Sequence, residues 1–142
     1  MVAPKITVSE NGHELEVTAG KSGTAHVLFG PTFFVGQVLS ESGRDETAEW
    51  IGDEAVGDVA WLTRINVETG KRGAGVGTAM LRRCLRELEK RGVDLVFLHA
   101  MPDYGYESQL DDWYVAHGFG SAGEVDGFPL YYARLGSTDD DD

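Results

Sequence analysis

Between a β-prone run ending at Val67 and a helical pattern starting near Val76 lies Glu68-Thr69-Gly70-Lys71-Arg72-Gly73-Ala74-Gly75-Val76-Gly77-Thr78, with four glycines in eight residues. Glycine adopts backbone conformations closed to other residues and lets a ligand approach the main chain. The first N–H groups of a helix lack intrahelical partners, and the positive end of the helix dipole stands behind them. A strand, a glycine-rich turn and a helix start therefore make a ready seat for a phosphate or pyrophosphate, and Arg72 adds a cation. The alternative is a flexible strand-to-helix connector, in which Gly75 and Gly77 in the first helical turn would each cost about 1 kcal/mol relative to alanine with no gain. Spacing narrows the ligand. The dinucleotide pattern G-x-G-x-x-G fails, because Thr78 stands where the third glycine belongs. The mononucleotide P-loop fails too: the chain's single Gly-Lys-Ser, Gly20-Lys21-Ser22, has Leu15 where the leading glycine is required.

The surrounding chain reads as a strand-rich front and a βαβ-like back. Ile6–Ser9 and Leu15–Thr18 are β-prone runs about the turn Asn11-Gly12, and Gly20-Lys21-Ser22-Gly23 is a second turn. Ala25–Phe29 and Phe33–Leu39 are read as further strands on either side of Gly30-Pro31. Residues 40–57 read as an acidic loop with a short helix near Thr47–Ile51. Val59–Val67 is the next strand. Val76, Met80, Cys84 and Leu88, with Leu81 and Leu85 beside them, then form one face of a helix that Gly92 ends. Val93–Ala100 is almost continuously apolar, as in a strand buried on both faces. A second helix over about Ser108–Ala116 closes at Gly118, and Phe128–Leu135 is the last strand.

The apolar and charged fractions, 42% and 25% of 142 residues, are those of one soluble globular domain, taken as residues 1–136 with an acidic, disordered tail at 137–142. No apolar run approaches a membrane span and no signal-peptide pattern opens the chain, so a cytoplasmic protein without a membrane partner is expected. A single cysteine, Cys84, excludes a disulfide framework and a thiolate zinc centre, and no metal site is read from the sequence. The net charge is −12, of which Asp139–Asp142 carry four, leaving −8 for the rest. Such a field repels nucleic acid and draws cations, so a cationic amine or basic peptide is the favoured kind of partner. It equally serves solubility.

The pattern R/Q-x-x-G-x-G/A on a strand–turn–helix resembles the pyrophosphate loop of the GNAT superfamily of acyl-CoA-dependent N-acetyltransferases, here Arg72-Gly73-Ala74-Gly75-Val76-Gly77-Thr78 after Ile65-Asn66-Val67. Downstream, Trp113-Tyr114-Val115-Ala116-His117-Gly118-Phe119 resembles that family's aromatic-Tyr-x-x-x-Gly-Phe segment. The two motifs stand in the family's order with the apolar run Val93–Ala100 between them, and the likeness covers about Asp58–Leu135. It implies an α/β (α+β) fold: a mixed, mostly antiparallel central sheet flanked by helices, here with a strand-rich N-terminal half. The front half departs from the family's habit of placing one or two helices after the first strand, which implies a more open acceptor site.

The resemblance implies an acetyl-CoA-dependent enzyme that acetylates an amine by direct attack in a ternary complex. Backbone N–H groups from Arg72, Gly73, Ala74, Gly75, Val76, Gly77 and Thr78 would cradle the coenzyme A pyrophosphate. Main-chain groups at Ile65 and Val67 would pair with the pantetheine arm, and an N–H near Val67 would meet the thioester carbonyl. Tyr114 stands where relatives place the acid that protonates the departing thiolate. Asp58, Glu68, His26 and Glu107 are open candidates for the base, and Glu107 falls near the position of an asparagine that contacts the cofactor in relatives. His99 and His117 are read as structural and Cys84 as buried packing. The acceptor amine stays unidentified, and a homodimer is suggested by likeness alone. The alternative reading is a non-catalytic acyl-CoA-binding module that regulates a partner.

Overall fold

A computed structural model describes residues 5–55, 57–67, 75–100 and 107–135, with the backbone alone given at Val67 and at 107–111. The strands are β1 (Thr7–Asn11), β2 (Glu14–Thr18), β3 (Gly23–Gly30), β4 (Asp58–Val67), β5 (Val93–His99), β6 (Gly120–Val125) and β7 (Phe128–Arg134). The helices are α1 (Thr32–Glu41), α2 (Asp45–Glu54), α3 (Val76–Lys90) and α4 (Glu107–Ala116). All seven strands form one sheet in the order β1-β2-β3-β4-β5-β7-β6. Neighbours are antiparallel except β4 and β5, which run parallel and are joined through α3. The α+β class and the mixed, mostly antiparallel sheet expected from the sequence are present.

Each face of the sheet carries its own core. On one face α3 lays Val76, Met80, Leu81, Cys84 and Leu88 against Leu15, Val17, Ala25, Val27, Ala60, Leu62, Val96 and Leu98, with Tyr114 and Phe119 beside them. These α3 positions recur every three to four residues, so burial fixes the face of the helix that meets the sheet. On the other face Val35 and Leu39 of α1 and Ile51 of α2 meet Val59, Leu95, Phe97 and Leu130. β5 feeds both cores, Leu95 and Phe97 to one and Val96 and Leu98 to the other. That is the reason its sequence is apolar throughout rather than alternating.

Two readings of the front half are corrected. Phe33–Leu39, read as a strand, lies inside α1. Val35 and Leu39 are four residues apart on the buried side, and Pro31 caps the helix with φ −59°. The stretch read as an acidic loop contains the ten-residue helix α2, longer than the short turn at Thr47–Ile51. Its first turn carries Asp45 and Glu46, which suit the positive end of the helix dipole. The two front helices are therefore present after all, but they follow the third strand rather than the first. β6 was not anticipated.

Helix α3 is tied to the sheet edge by ions. The carboxylate of Glu87, 7% exposed, accepts from Arg83 Nε at 2.9 Å and Arg91 Nη1 at 2.8 Å, and Arg91 Nη2 also reaches Glu10 Oε1 on β1 at 2.8 Å. The hydrogen bond from Arg91, then that from Arg83, holds the Glu87 carboxyl down at about 2, against the pull of burial. A carboxyl depressed in the folded state stabilises above its unfolded pKa and loses that contribution as the pH falls through the folded value. Glu87→Gln is expected to cost about 2–3 kcal/mol near pH 7, a difference that closes between about pH 4 and pH 2 in denaturant titrations. An equal gap at both ends of that range would contradict the assignment.

Candidate active site

The centre of the sheet opens. β4 pairs with β5 over Asp58–Trp61, the last pair being Trp61 with Phe97. On its other side β4 stays paired with β3 as far as Val67 and Gly23, through a one-residue register shift: Leu62 opposes Val27 and Arg64 opposes His26. Thr63 is the extra residue of this bulge, and its Oγ1 donates to the His26 carbonyl at 3.1 Å. A bulge bends and twists its strand. Beyond Trp61 the β4 backbone that faces β5 has no ladder partner among the described residues. A stretch of bare strand edge therefore lies inside the sheet rather than at its rim, and Ile65 and Val67 fall on it.

That edge leads to the start of α3. Gly75 is its N-cap in the left-handed region, φ 83°, so the N–H groups of Val76, Gly77 and Thr78 open the helix without intrahelical acceptors. Gly23 lets these parts meet: a Cβ there would lie 2.7 Å from the Asn66 carbonyl oxygen and 2.7 Å from Met80 Cε. Trp113 Nε1 of α4 donates to Thr78 Oγ1 at 3.1 Å, holding the start of α3 against the helix that carries Tyr114. Tyr114 is 4% exposed, stacked on Tyr131 at 5.4 Å and edge-on to Phe119 at 5.7 Å. Burial, and secondarily the neighbouring Tyr131, pushes its hydroxyl up to about 12, so the proton stays on oxygen at neutral pH.

The opposite face of the same opening carries a polar network that the sequence reading missed. Arg44, between α1 and α2, sets its guanidinium 5.5 Å from the Trp61 ring centroid and 5.2 Å from that of Phe128. Its Nη1 lies 2.6 Å from His99 Nδ1, so that nitrogen must accept and His99 is the Nε2–H tautomer. Nε2 then donates to Thr47 Oγ1 at 3.1 Å, and the hydroxyl donates to Asp126 Oδ2 at 2.7 Å. Burial, then the Arg44 charge, lowers the His99 pKa, which keeps the ring neutral. Burial pulls Asp126 upward, but hydrogen bonds from the Thr47 hydroxyl, the Thr47 N–H and the Glu46 N–H hold it below its ordinary value. The network clasps the start of α2 to the β6–β7 turn and the end of β5.

Residues 32–119 match the profile of the family described as "Acetyltransferase (GNAT) family", more than half of the chain. The chain belongs to the GNAT acetyltransferase family. Solved structures share its fold. The PaiA N-acetyltransferase of Thermoplasma acidophilum, solved in complex with coenzyme A, superposes with a TM-score of 0.56 at 11% identity over 86% of this chain and 60% of its own. The ribosomal-protein-S18-alanine N-acetyltransferase of Escherichia coli gives 0.56 at 17% identity over 93% of this chain and 76% of its own. The polyamine N-acetyltransferase of Drosophila melanogaster, an enzyme that forms N-acetylagmatine, gives 0.60 at 10% identity over 87% and 75%. This GNAT chain thus spans less than two thirds of the Thermoplasma protein. Comparison with curated proteins returns no significant match.

The resemblance seen in the sequence was thus to the right family, and the structure places its site residues unevenly. Ile65 and Val67 lie on the bare edge of β4, and Gly75, Val76, Gly77 and Thr78 at the start of α3. Arg72, Gly73, Ala74 and Glu68 lie outside the described residues, as does the side chain of Glu107. Asp58 begins β4 opposite Val93, at the closed end. Cys84 is 1% exposed, and burial with the nearby Glu87 pushes its thiol up to about 12, leaving it un-ionised. His117 Nδ1 donates to the Trp113 carbonyl at 2.8 Å within α4.

Gly75 gives a direct test of the helix start. Among the described residues a Cβ at this position would meet no heavy atom within 4 Å, so the cost of substitution there comes from the backbone conformation. Gly75→Ala is expected to destabilise by about 1–2 kcal/mol, and Gly75→Asn by less, because asparagine tolerates the left-handed region. Thermal unfolding of the two variants checks the order.

Proposed function

We propose that this GNAT protein transfers the acetyl group of acetyl-CoA to a primary amine by direct attack in a ternary complex, in the cytoplasm. The observation that carries the reading is the opening between β4 and β5, whose bare strand edge runs into the uncapped N–H groups of α3. The residues present fit coenzyme A in two separate ways. An amide-bearing pantetheine arm can pair with β4 along Ile65–Val67 as an added strand would. A pyrophosphate suits the α3 start, where Gly75 allows close main-chain approach and the sequence places Arg72, Gly73 and Ala74 just before it. When bound, the coenzyme supplies an activated acetyl thioester.

The chain's own groups then do the rest. An N–H near Val67 stabilises negative charge developing on the thioester oxygen. Tyr114 holds a proton in a buried position, as a donor to a departing thiolate requires. The net charge favours a cationic acceptor. Among the structural neighbours, one forms N-acetylagmatine and another is named for a ribosomal-protein alanine, so an amine acceptor is their common ground.

The test is release of free thiol from acetyl-CoA with agmatine, spermidine, aminoglycosides and lysine peptides, alongside direct titration of coenzyme A. Thiol release with at least one amine is expected. Coenzyme A binding without thiol release for any amine would favour a non-catalytic acyl-CoA-binding module instead.

A further inference from the structure

Among the described residues, the sheet face that carries α1 and α2 is not covered beyond α1 over β1 to β4, leaving a groove of about 640 Å³ whose lining includes Glu14, Glu16, His26, Trp61, Thr63 and Arg64. A second hollow of about 460 Å³ around Lys21 and Asn66 adjoins it and shares Glu16, His26 and Arg64. His26 is directed here by strand alternation: Ala25 and Val27 on either side of it are buried in the opposite core. It sits on the β3 side of the bulge, in register with Arg64 of the next strand, so a ligand paired along the far edge of β4 would lie two strand spacings away, about 10 Å. The groove thus meets the opening in the sheet from the side opposite α3.

The chain has four histidines, and they differ in what their ring nitrogens do. His99 spends both, on Arg44 and Thr47. His13 and His117 each bond a main-chain carbonyl through Nδ1, and neither lines this groove. His26 alone turns Nε2 toward a carboxylate, Glu16 Oε2 at 3.5 Å, and its Nδ1 has no partner among the described residues. An imidazole 3.5 Å from a carboxylate, with its other ring nitrogen in a solvent-open groove, can take up a proton there. Asp58, another open candidate, lies six residues back along β4, about 20 Å away.

We infer that His26 is the general base for the acceptor amine and that Glu16, its ion-pair neighbour, is a positioning residue; this rests on the proposed acetyl transfer. The acceptor ammonium gives one proton, through water in the groove, to His26 Nδ1, which passes it to solvent. The nitrogen lone pair forms a bond to the thioester carbonyl carbon, and the carbon–sulfur bond breaks. The second nitrogen proton balances the one gained by the thiolate, so one proton is released per amide formed. The charged groups facing His26 are Glu16 and Glu14 from β2, Arg64 from β4 and Lys21 from the β2–β3 turn; β1 presents Ser9 and Asn11, and α1 presents Val38.

The experiment compares the wild type, His26→Gln and Glu16→Gln with whichever of agmatine, spermidine and a lysine peptide the wild type turns over fastest. His26→Gln is expected to lower kcat/KM about 10²-fold near pH 7 and to recover toward the wild type near pH 10, where the alkylamine deprotonates in solution. Coenzyme A affinity should stay within about twofold, which also shows that the half-exposed site still folds. Glu16→Gln is expected to give a smaller, about 3–10-fold loss in kcat with the same coenzyme A affinity. Independently of turnover, the His26 imidazole C–H resonance should shift when the amine is added to the protein saturated with coenzyme A. A loss in His26→Gln that is equal at both pH values, or no loss, or an unmoved His26 resonance, would overturn the assignment. An inactive wild type would instead overturn the acetyl-transfer reading beneath it.

Discussion

Tyr114→Phe is expected to lower kcat about 10²-fold while leaving the Kd for coenzyme A within about twofold, because the change removes the proton-bearing hydroxyl and almost no packing. The ring sits in the core under β5 and β7, stacked on Tyr131 and edge-on to Trp113 and Phe119, and phenylalanine keeps those contacts. The hydroxyl is what changes. Burial pushes it up to about 12, so it is a full donor throughout the neutral range and does not ionise under mild alkali. The basic limb of the wild-type profile should therefore not come from Tyr114 below about pH 11. Thiol release gives kcat and calorimetry gives the Kd. Equal losses in both would mean that the tyrosine only supports the coenzyme site, and the acid role would fall.

The second large effect is structural. Phe97→Ala should cost about 3–5 kcal/mol of folding free energy, the usual range for removing a fully buried aromatic ring. Phe97 is 0% exposed in β5, stacked in parallel with Trp61 at 6.4 Å and edge-on to Trp50 at 6.2 Å. It is also the last β5 residue paired with β4 before the sheet opens. Its loss leaves Trp61 without its stacking partner, and Arg44 stands over Trp61. The acceptor KM is thus expected to rise more than the Kd for coenzyme A, whose proposed seat is on the α3 side. Denaturant unfolding measures the first effect and steady-state kinetics the second. A cost below about 1 kcal/mol would mean that the α1/α2 core closes over the gap.

Why the back half was legible and the front half less so follows from where the ordering information lies. The α3 stripe and the continuous apolar run of β5 are local patterns fixed by which faces are buried. The bulge, too, leaves a trace: inward positions on β4 run Ala60 and Leu62, then resume at Ile65, a change of phase at Thr63 that marks an inserted residue. Phe33–Leu39 misled because aromatic and β-branched residues after Gly30-Pro31 suit a strand. Only the spacing of Val35 and Leu39 toward Ile51 shows a helix. α2 buries just Thr47 and Ile51 among its ten residues, and the bonds that anchor its start come from Asp126, some eighty positions away. No local window contains that contact. β6, Gly-Ser-Ala-Gly-Glu-Val, has little β-propensity and exists as an edge strand through its pairing with β7.

The candidate site divides the same way. The donor half is one contiguous segment, from Ile65 to Thr78, plus Tyr114, so motif spacing could reveal it. The proposed acceptor half draws on β2, β3, β4 and the α1–α2 connection, and only the folded sheet brings Glu16, His26 and Trp61 to one groove, with Arg44 over Trp61.

Coenzyme A is proposed to occupy the opening between β4 and β5. Its titration into isotope-labelled protein, followed through backbone amide resonances, locates it. The largest shifts are expected at Leu62–Val67 and at Gly75–Thr78, with β1 and β6 little changed. Saturable binding whose shifts gather elsewhere, or no binding at millimolar coenzyme A, would contradict it.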